Sequence, residues 1–195
     1  MNKTRLEAFS DGVLAIIITV MLLELHVPRG ADLVALEPVL PMFLCYVLSF
    51  IFIGIYWNNH HHMLHAARRV TGGVLWANLH LLFWLSLLPF VTGWMGVNEF
   101  SSTPTALYGV VLLMSGTAYA ILCRALIAAE GSGSALARAV GKDYKAKLSL
   151  AIYCIAIPLA FYLRWAAQLL YVLVALMWLV PDRRIEKVVT ENAGE

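Results

Sequence analysis

Charge is what this chain is short of. Of its 195 residues only 14 are Lys or Arg and 12 are Asp or Glu, 13% together, against 61% hydrophobic. A soluble domain averages about 25% charged and about 45–50% apolar residues, so the composition excludes one, in line with a mean hydropathy of +0.77. Cysteine is scarce as well. Cys45, Cys123 and Cys154 all fall in apolar segments, where a lone thiol acts as a small core residue and not as half of a disulfide. The first apolar run is interrupted by Asp11 and followed by no Ala-x-Ala cleavage site, so Met1-Asn2-Lys3-Thr4-Arg5 reads as the start of a retained span and not of a signal peptide. No internal duplication is visible, and no stretch is left over for a separate soluble domain.

Long apolar runs fill the rest. A helical span needs about 20 residues, and runs bounded by charges, Gly and Pro place spans at roughly 5–26, 39–64, 71–95, 104–128, 146–163 and 165–181. The expected fold class is an all-α membrane protein with six transmembrane helices in a single repeat, occupying residues 1–187, with a short cytoplasmic tail at 188–195. Pro28, Pro38 and Pro41 bracket the first loop, Pro104 opens the fourth span and Pro181 closes the sixth, as helix boundaries do. Pro89 and Pro158 lie inside spans and predict kinks. Glu130-Gly131-Ser132-Gly133-Ser134 ends the fourth span, and Ala135 to Lys147 reads as a basic linker with room for a short surface helix. The last two spans meet in a short turn near Arg164-Trp165. Trp57, Trp94 and Trp178, near span ends, read as interface anchors.

Basic residues in short loops stay in the cytoplasm. Lys3, Arg5, Arg68, Arg69, Arg124, Arg138, Lys142, Lys145, Lys147, Arg183, Arg184 and Lys187 fall on one side of the spans, with Arg29 and Arg164 opposite. A multi-pass protein with both termini cytoplasmic is therefore expected. The outer loops carry Glu24, Asp32, Glu37 and Glu99, which either concentrate cations at an outer entrance or are solvated loop ends.

The first helix carries Arg5, Ser10 and Asp11. A charge within a span costs roughly 2.5–3.5 kcal/mol on insertion scales, so such groups are paired or face a bundle interior or a water-filled path. Arg5 and Asp11 are six residues apart and do not face each other on a helix, so each calls for a partner from another span. Asn58, Asn59, His60, His61, Asn78 and His80 are on offer. Further along, Ile16, Thr19 or Val20, and Leu23 recur at the spacing of one helix face, with Ile16 and Leu23 roughly 10 Å apart along the axis. Lipid contact, helix packing and a narrow apolar pore all suit such a face, and periodicity leaves the three open. His61 and His65 are at i and i+4, a spacing suited to zinc. No His-Glu-x-x-His pattern and no nearby cysteine accompany them, so a polar helix end is expected and no metal. No acid, base or nucleophile cluster of the kind an intramembrane enzyme needs stands out elsewhere.

Arg-x-x-x-Phe-Ser-Asp-Gly at residues 5–12, followed by Val13-Leu14-Ala15-Ile16-Ile17-Ile18-Thr19, resembles the signature of the transmembrane protein 175 family, the endosomal and lysosomal potassium channels and their prokaryotic relatives. The resemblance extends to Tyr56-Trp57-Asn58-Asn59-His60-His61 and to Asn78 through Phe90, and weakens afterwards. It implies a homotetramer in a prokaryotic plasma membrane, with four first helices around a central pore. It puts Ile16 at a hydrophobic constriction, Thr19 one turn further out and Leu23 at the next apolar layer. It also ties Arg5, Phe9, Ser10, Asp11 and Gly12 to a polar network with His60, His61, Asn78 and His80. K+ is the implied permeant ion, with Rb+ and Cs+ also accepted. The lipid bilayer is the surrounding partner; neither a cofactor nor nucleic acid is implied.

The chain has no Thr-Val-Gly-Tyr-Gly sequence, so selectivity by rings of backbone carbonyls is not expected. Four Thr19 hydroxyls supply partial coordination instead, or each bonds back to the carbonyl of Ala15. A ring of Ile16 side chains gates by dewetting. Anchoring of the pore helix is the expected role of Arg5, Ser10 and Asp11; the sharper alternative is an Asp11 that titrates and makes conductance depend on pH. The alternative function is a secondary cation or small-solute transporter, although the internal repeats and broken helices common in that class are not visible. A scaffold without transport activity is a further alternative.

Overall fold

The computed structural model describes residues 2–67, 69–131, 133–134, 136–137 and 143–179. Arg68, Arg138, Lys142, Pro181, Arg183, Arg184, Lys187, most of the basic linker and the tail at 188–195 lie outside the described residues. Within them all regular structure is helical: α1 (Lys3–Leu23), a 3-10 segment (Leu33–Val39), α2 (Leu40–Ala66), α3 (Gly72–Ser86), α4 (Leu88–Val97), α5 (Ser102–Glu130), α6 (Tyr144–Leu159) and α7 (Arg164–Leu179). Four stretches are long and apolar enough to cross a membrane: Lys3–Leu23, Leu33–Ala66, Gly72–Val97 and Ser102–Glu130; Arg164–Leu179 is apolar but shorter. At about 1.5 Å per residue, α6 and α7, each 16 residues, are about 24 Å long.

Local chemistry sets the boundaries. The Asn2 side chain accepts from the Thr4 amide at 3.2 Å and opens α1, satisfying a donor that the first turn leaves free. Pro38 lies inside the 3-10 segment and Pro41 in the first turn of α2, where a missing N–H costs nothing. Pro89 has a larger effect than a kink: the third span is divided at Leu87 into α3 and α4, with Pro89 in the first turn of α4. A proline has no N–H to give the preceding turn and its ring crowds the carbonyl four residues back. Pro158 does not kink a continuing helix as expected. It is one residue from the end of α6, and the Phe161 and Tyr162 amides close the turn into α7 on the Pro158 and Leu159 carbonyls. Gly131, at φ +99°, ends α5.

Because lipid tails are as apolar as the side chains, membrane helices associate through close packing and polar bonds. α5 is the centre, packed against α3, α4, α6 and α7, while α1 lies against α2, α3 and α4. Two glycines permit the closest approaches. A Cβ on Gly96 of α4 would stand 2.7 Å from the Cα of Met42 on α2, and one on Gly109 of α5 would meet the Tyr171 ring of α7. Tyr108, Tyr171, Leu112 and Leu122 are fully buried in this core.

Candidate functional site

α1 has two unlike faces. Leu6, Ser10, Leu14, Ile17 and Met21 are buried against the bundle, recurring at the three- and four-residue steps that keep one helix face inward. Ile16 and Leu23, one residue or two out of phase, are 62% and 82% exposed, and Thr19 and Gly12 are exposed with them. The sequence-expected constriction residues therefore share the face of α1 that the protomer leaves uncovered.

The Thr19 hydroxyl donates to a backbone carbonyl, but to Ile16 at 2.9 Å and not to Ala15. Both three- and four-residue back-bonds are open to a helical threonine. A hydroxyl has one proton and two lone pairs, so with the proton used within the helix only acceptor capacity remains for anything outside it.

At its N-terminal end α1 is held by a chain of buried polar bonds. Ser10 Oγ donates to the Leu6 carbonyl and accepts from Asn78 Nδ2, both at 2.9 Å, and Asn78 Oδ1 pairs with His60 Nε2 at 2.7 Å. Ser10 and Asn78 are fully buried and His60 nearly so. Since the amide oxygen of Asn78 accepts, His60 is assigned the tautomer that carries its proton on Nε2. Asp11 is exposed and accepts from Trp57 Nε1 at 3.0 Å. Trp57 stacks on His61, and His61 on His65, each at 6.1 Å between ring centres, while Lys3 Nζ donates to the His65 carbonyl at 2.9 Å.

The expected network is thus partly assembled. Ser10, Asn78 and His60 form one string, Asp11 is bound by a different residue, and His61 joins only through stacking. His80 accepts from Trp84 Nε1 on its own helix at 3.0 Å, and among the described residues it makes no hydrogen bond to α1. Among the described residues the Arg5 side chain makes no hydrogen bond; it lines a groove of about 300 Å³ with Phe9, Leu75, Asn78 and Leu79. Phe9 is 51% exposed, and a Cβ on Gly12 would meet nothing within 4 Å. Trp57, expected as an interface anchor, is the residue the sequence reading missed. Its signal was the four-residue step to His61, which puts both rings on one face beside α1.

A second groove, about 780 Å³, runs between the C-terminal half of α1 and α4, lined by Ile16, Val20, Glu24, Phe90 and Trp94. Among the described residues no three His, Cys, Asp or Glu side chains are arranged to hold a metal ion.

Residues 5–89 match the family model described as the endosomal/lysosomal potassium channel TMEM175. A Chryseobacterium protein named a potassium channel is 53% identical over 98% of this chain and 100% of its own length. The Bos taurus endosomal/lysosomal proton channel TMEM175 is 29% identical over 83% of this chain and 37% of its own. Among solved structures, the fold is similar to that of a Chamaesiphon minutus homologue of the lysosomal potassium-selective channel TMEM175. That match has a TM-score of 0.77 and 23% identity, covering 92% of this chain and 97% of the other.

Proposed function

This chain belongs to the TMEM175 family of potassium channels, and from that premise we propose that four copies conduct K+ passively through a central pore walled by α1. The family is one of ion channels, and the chain is not an enzyme. The observation that carries the reading is the uncovered face of α1, where Ile16 and Leu23 are 62% and 82% exposed while Ile17 and Met21, on the other face, are 4% and 2%. Four such faces around an axis put a ring of Ile16 at the constriction, where an apolar ring excludes hydrated ions by dewetting. A ring of Thr19 follows, its oxygens free to accept, and then a ring of Leu23.

In this arrangement the groove between α1 and α4 receives the adjacent protomer, and the Ser10–Asn78–His60 and Asp11–Trp57 bonds seat the pore helix on its own bundle. Residues 1–187 form the channel domain and 188–195 a short tail, with both termini on the cytoplasmic side of a prokaryotic plasma membrane. Selectivity comes from the Ile16 and Thr19 rings and not from a carbonyl filter, so Rb+ and Cs+ pass with K+ and Na+ passes less readily.

Purified protein in planar bilayers, with K+ on one side and Na+ on the other, provides the test. Discrete current steps with a reversal potential displaced toward the K+ equilibrium are expected. Slow, saturable flux in liposomes without steps would overturn the reading in favour of a transporter. A pH gradient across the same bilayer tests whether protons share the path past Asp11, as the name of the bovine relative suggests.

A further inference from the structure

Away from α1, a narrow cleft of about 40 Å³ runs between α2, α5, α6 and α7, half open to the outside. Most of its wall is apolar, supplied by Phe52, Ile55, Gly116, Leu150 and the ring of Trp178. Gly116 leaves room in it: a Cβ there would stand 3.2 Å from Leu150 Cδ2, tighter than the best separation of two carbons.

One end of the cleft is charged. Ala146 and Ser149, in the first turns of α6, line it, and Trp178 Nε1 donates to Ser149 Oγ at 2.8 Å, which fixes the indole there. Lys145 Nζ lies over the face of that indole, 6.0 Å from the ring centre, the placement of a cation–π pair. The ammonium is therefore held beside the cleft. Lys147, two residues on, and Arg124, five residues past Tyr119 of the cleft wall, are exposed at the same end. Asp143 is the acid among them, and its carboxylate accepts from the Ala146 amide at 3.2 Å. Among the described residues, three cations against one carboxylate leave the mouth positive.

An apolar slot that opens sideways and is positive at one end matches an amphiphile that is anionic at one end. We propose that the cleft binds an anionic phospholipid of the surrounding bilayer, its phosphate at Lys145 and Lys147 and a stretch of one acyl chain between α2 and α6. The slot takes a single chain, so the rest of the lipid stays in the bilayer. Each basic residue near an anionic lipid surface strengthens binding about fivefold, so the headgroup charge sets this lipid apart from its neighbours.

The test uses the full-length assembled protein in nanodiscs with phosphatidylglycerol that carries a photoreactive group in its acyl chain. Phosphatidylcholine carrying the same group is the control. Illumination is expected to label Ile55, Gly116 or Leu150 with the anionic lipid, and about fivefold less with the zwitterionic one. Lys145→Gln lowers the phosphatidylglycerol label about fivefold, and Gly116→Leu, which fills the slot with both lysines in place, abolishes it. Should these variants fail to fold, salt gives the same reading on the unsubstituted protein. Going from 0.01 to 1 M shortens the screening length from about 30 to about 3 Å, and the label falls. Equal labelling by the two lipids, or a phosphatidylglycerol label that neither Lys145→Gln nor salt lowers, overturns the proposal, since ordinary contact with bulk lipid gives those results. No current is read, so the outcome is separate from whether the protein is a channel.

Discussion

One residue of rotation separates two roles on α1: Ile16 is 62% exposed and Ile17 is 4% exposed. The spacing of Ile16, Thr19 and Leu23 was legible in the sequence, but whether that face met the core was not, because α1 is apolar on both sides. On the proposed reading, Ile16→Asn wets the constriction, and single-channel records are expected to give a higher open probability with weaker gating. Unchanged records would remove Ile16 from the gate. Thr19→Ala deletes an outward acceptor without touching the packed face. Its reversal potential under biionic K+/Na+ conditions is expected to move toward zero, and an unaltered potential would take Thr19 out of the filter.

Among the elements, α1 and its neighbours divide the work between directional and close-packed contacts. Asn78→Ala leaves the Ser10 and His60 polar atoms without their shared partner inside the bundle. Thermal melts are expected to register a loss of about 1–3 kcal/mol. Gly96→Ala would put a methyl 2.7 Å from the Met42 Cα; backbone cannot rotate away as a side chain can, so α2 and α4 must part. A loss of about 1–3 kcal/mol is expected in the same assay, with α1 still in place.

The family resemblance put Ser10, Asn78 and His60 in one polar network, and these three are hydrogen-bonded in a string; the partners that the sequence called for at Arg5 and Asp11 were not legible. The bonds of Trp57 and His80 were not legible for a simple reason. Indole N–H groups can bond along their own helix, as Trp84 does to His80, or across to another, as Trp57 does to Asp11. Residue type alone does not separate those cases. Prolines were legible in position and less so in effect: Pro89 divides a span, whereas Pro158 closes one.

For the whole molecule, the scarcity of charge fixed the class, and apolar length gave the order of helices. Assembly is a property of surfaces, and an exposed apolar face reads alike in sequence whether it meets lipid or a second copy. Leu23→Cys in a Cys154→Ser background separates the two, since Cys154 is exposed while Cys45 and Cys123 are buried. Mild oxidation is expected to join protomers into disulfide-linked dimers on a denaturing gel if Leu23 faces the central axis. Protomers that stay monomeric would place that face in lipid.

The polar bonds that tie α1 to other helices lie at Lys3, Ser10 and Asp11, whereas beyond Leu14, among the described residues, its buried face is the apolar Ile17 and Met21. Directional bonds resist sliding; apolar contacts permit it. The helix is therefore a lever with its pivot near one end. At about 1.5 Å per residue, Ile16 sits roughly 9 Å from Ser10 and Leu23 roughly 20 Å, so any tilt about that pivot carries Leu23 about twice as far as Ile16. In the proposed tetramer such a tilt would widen the Leu23 ring about twice as far as the Ile16 ring.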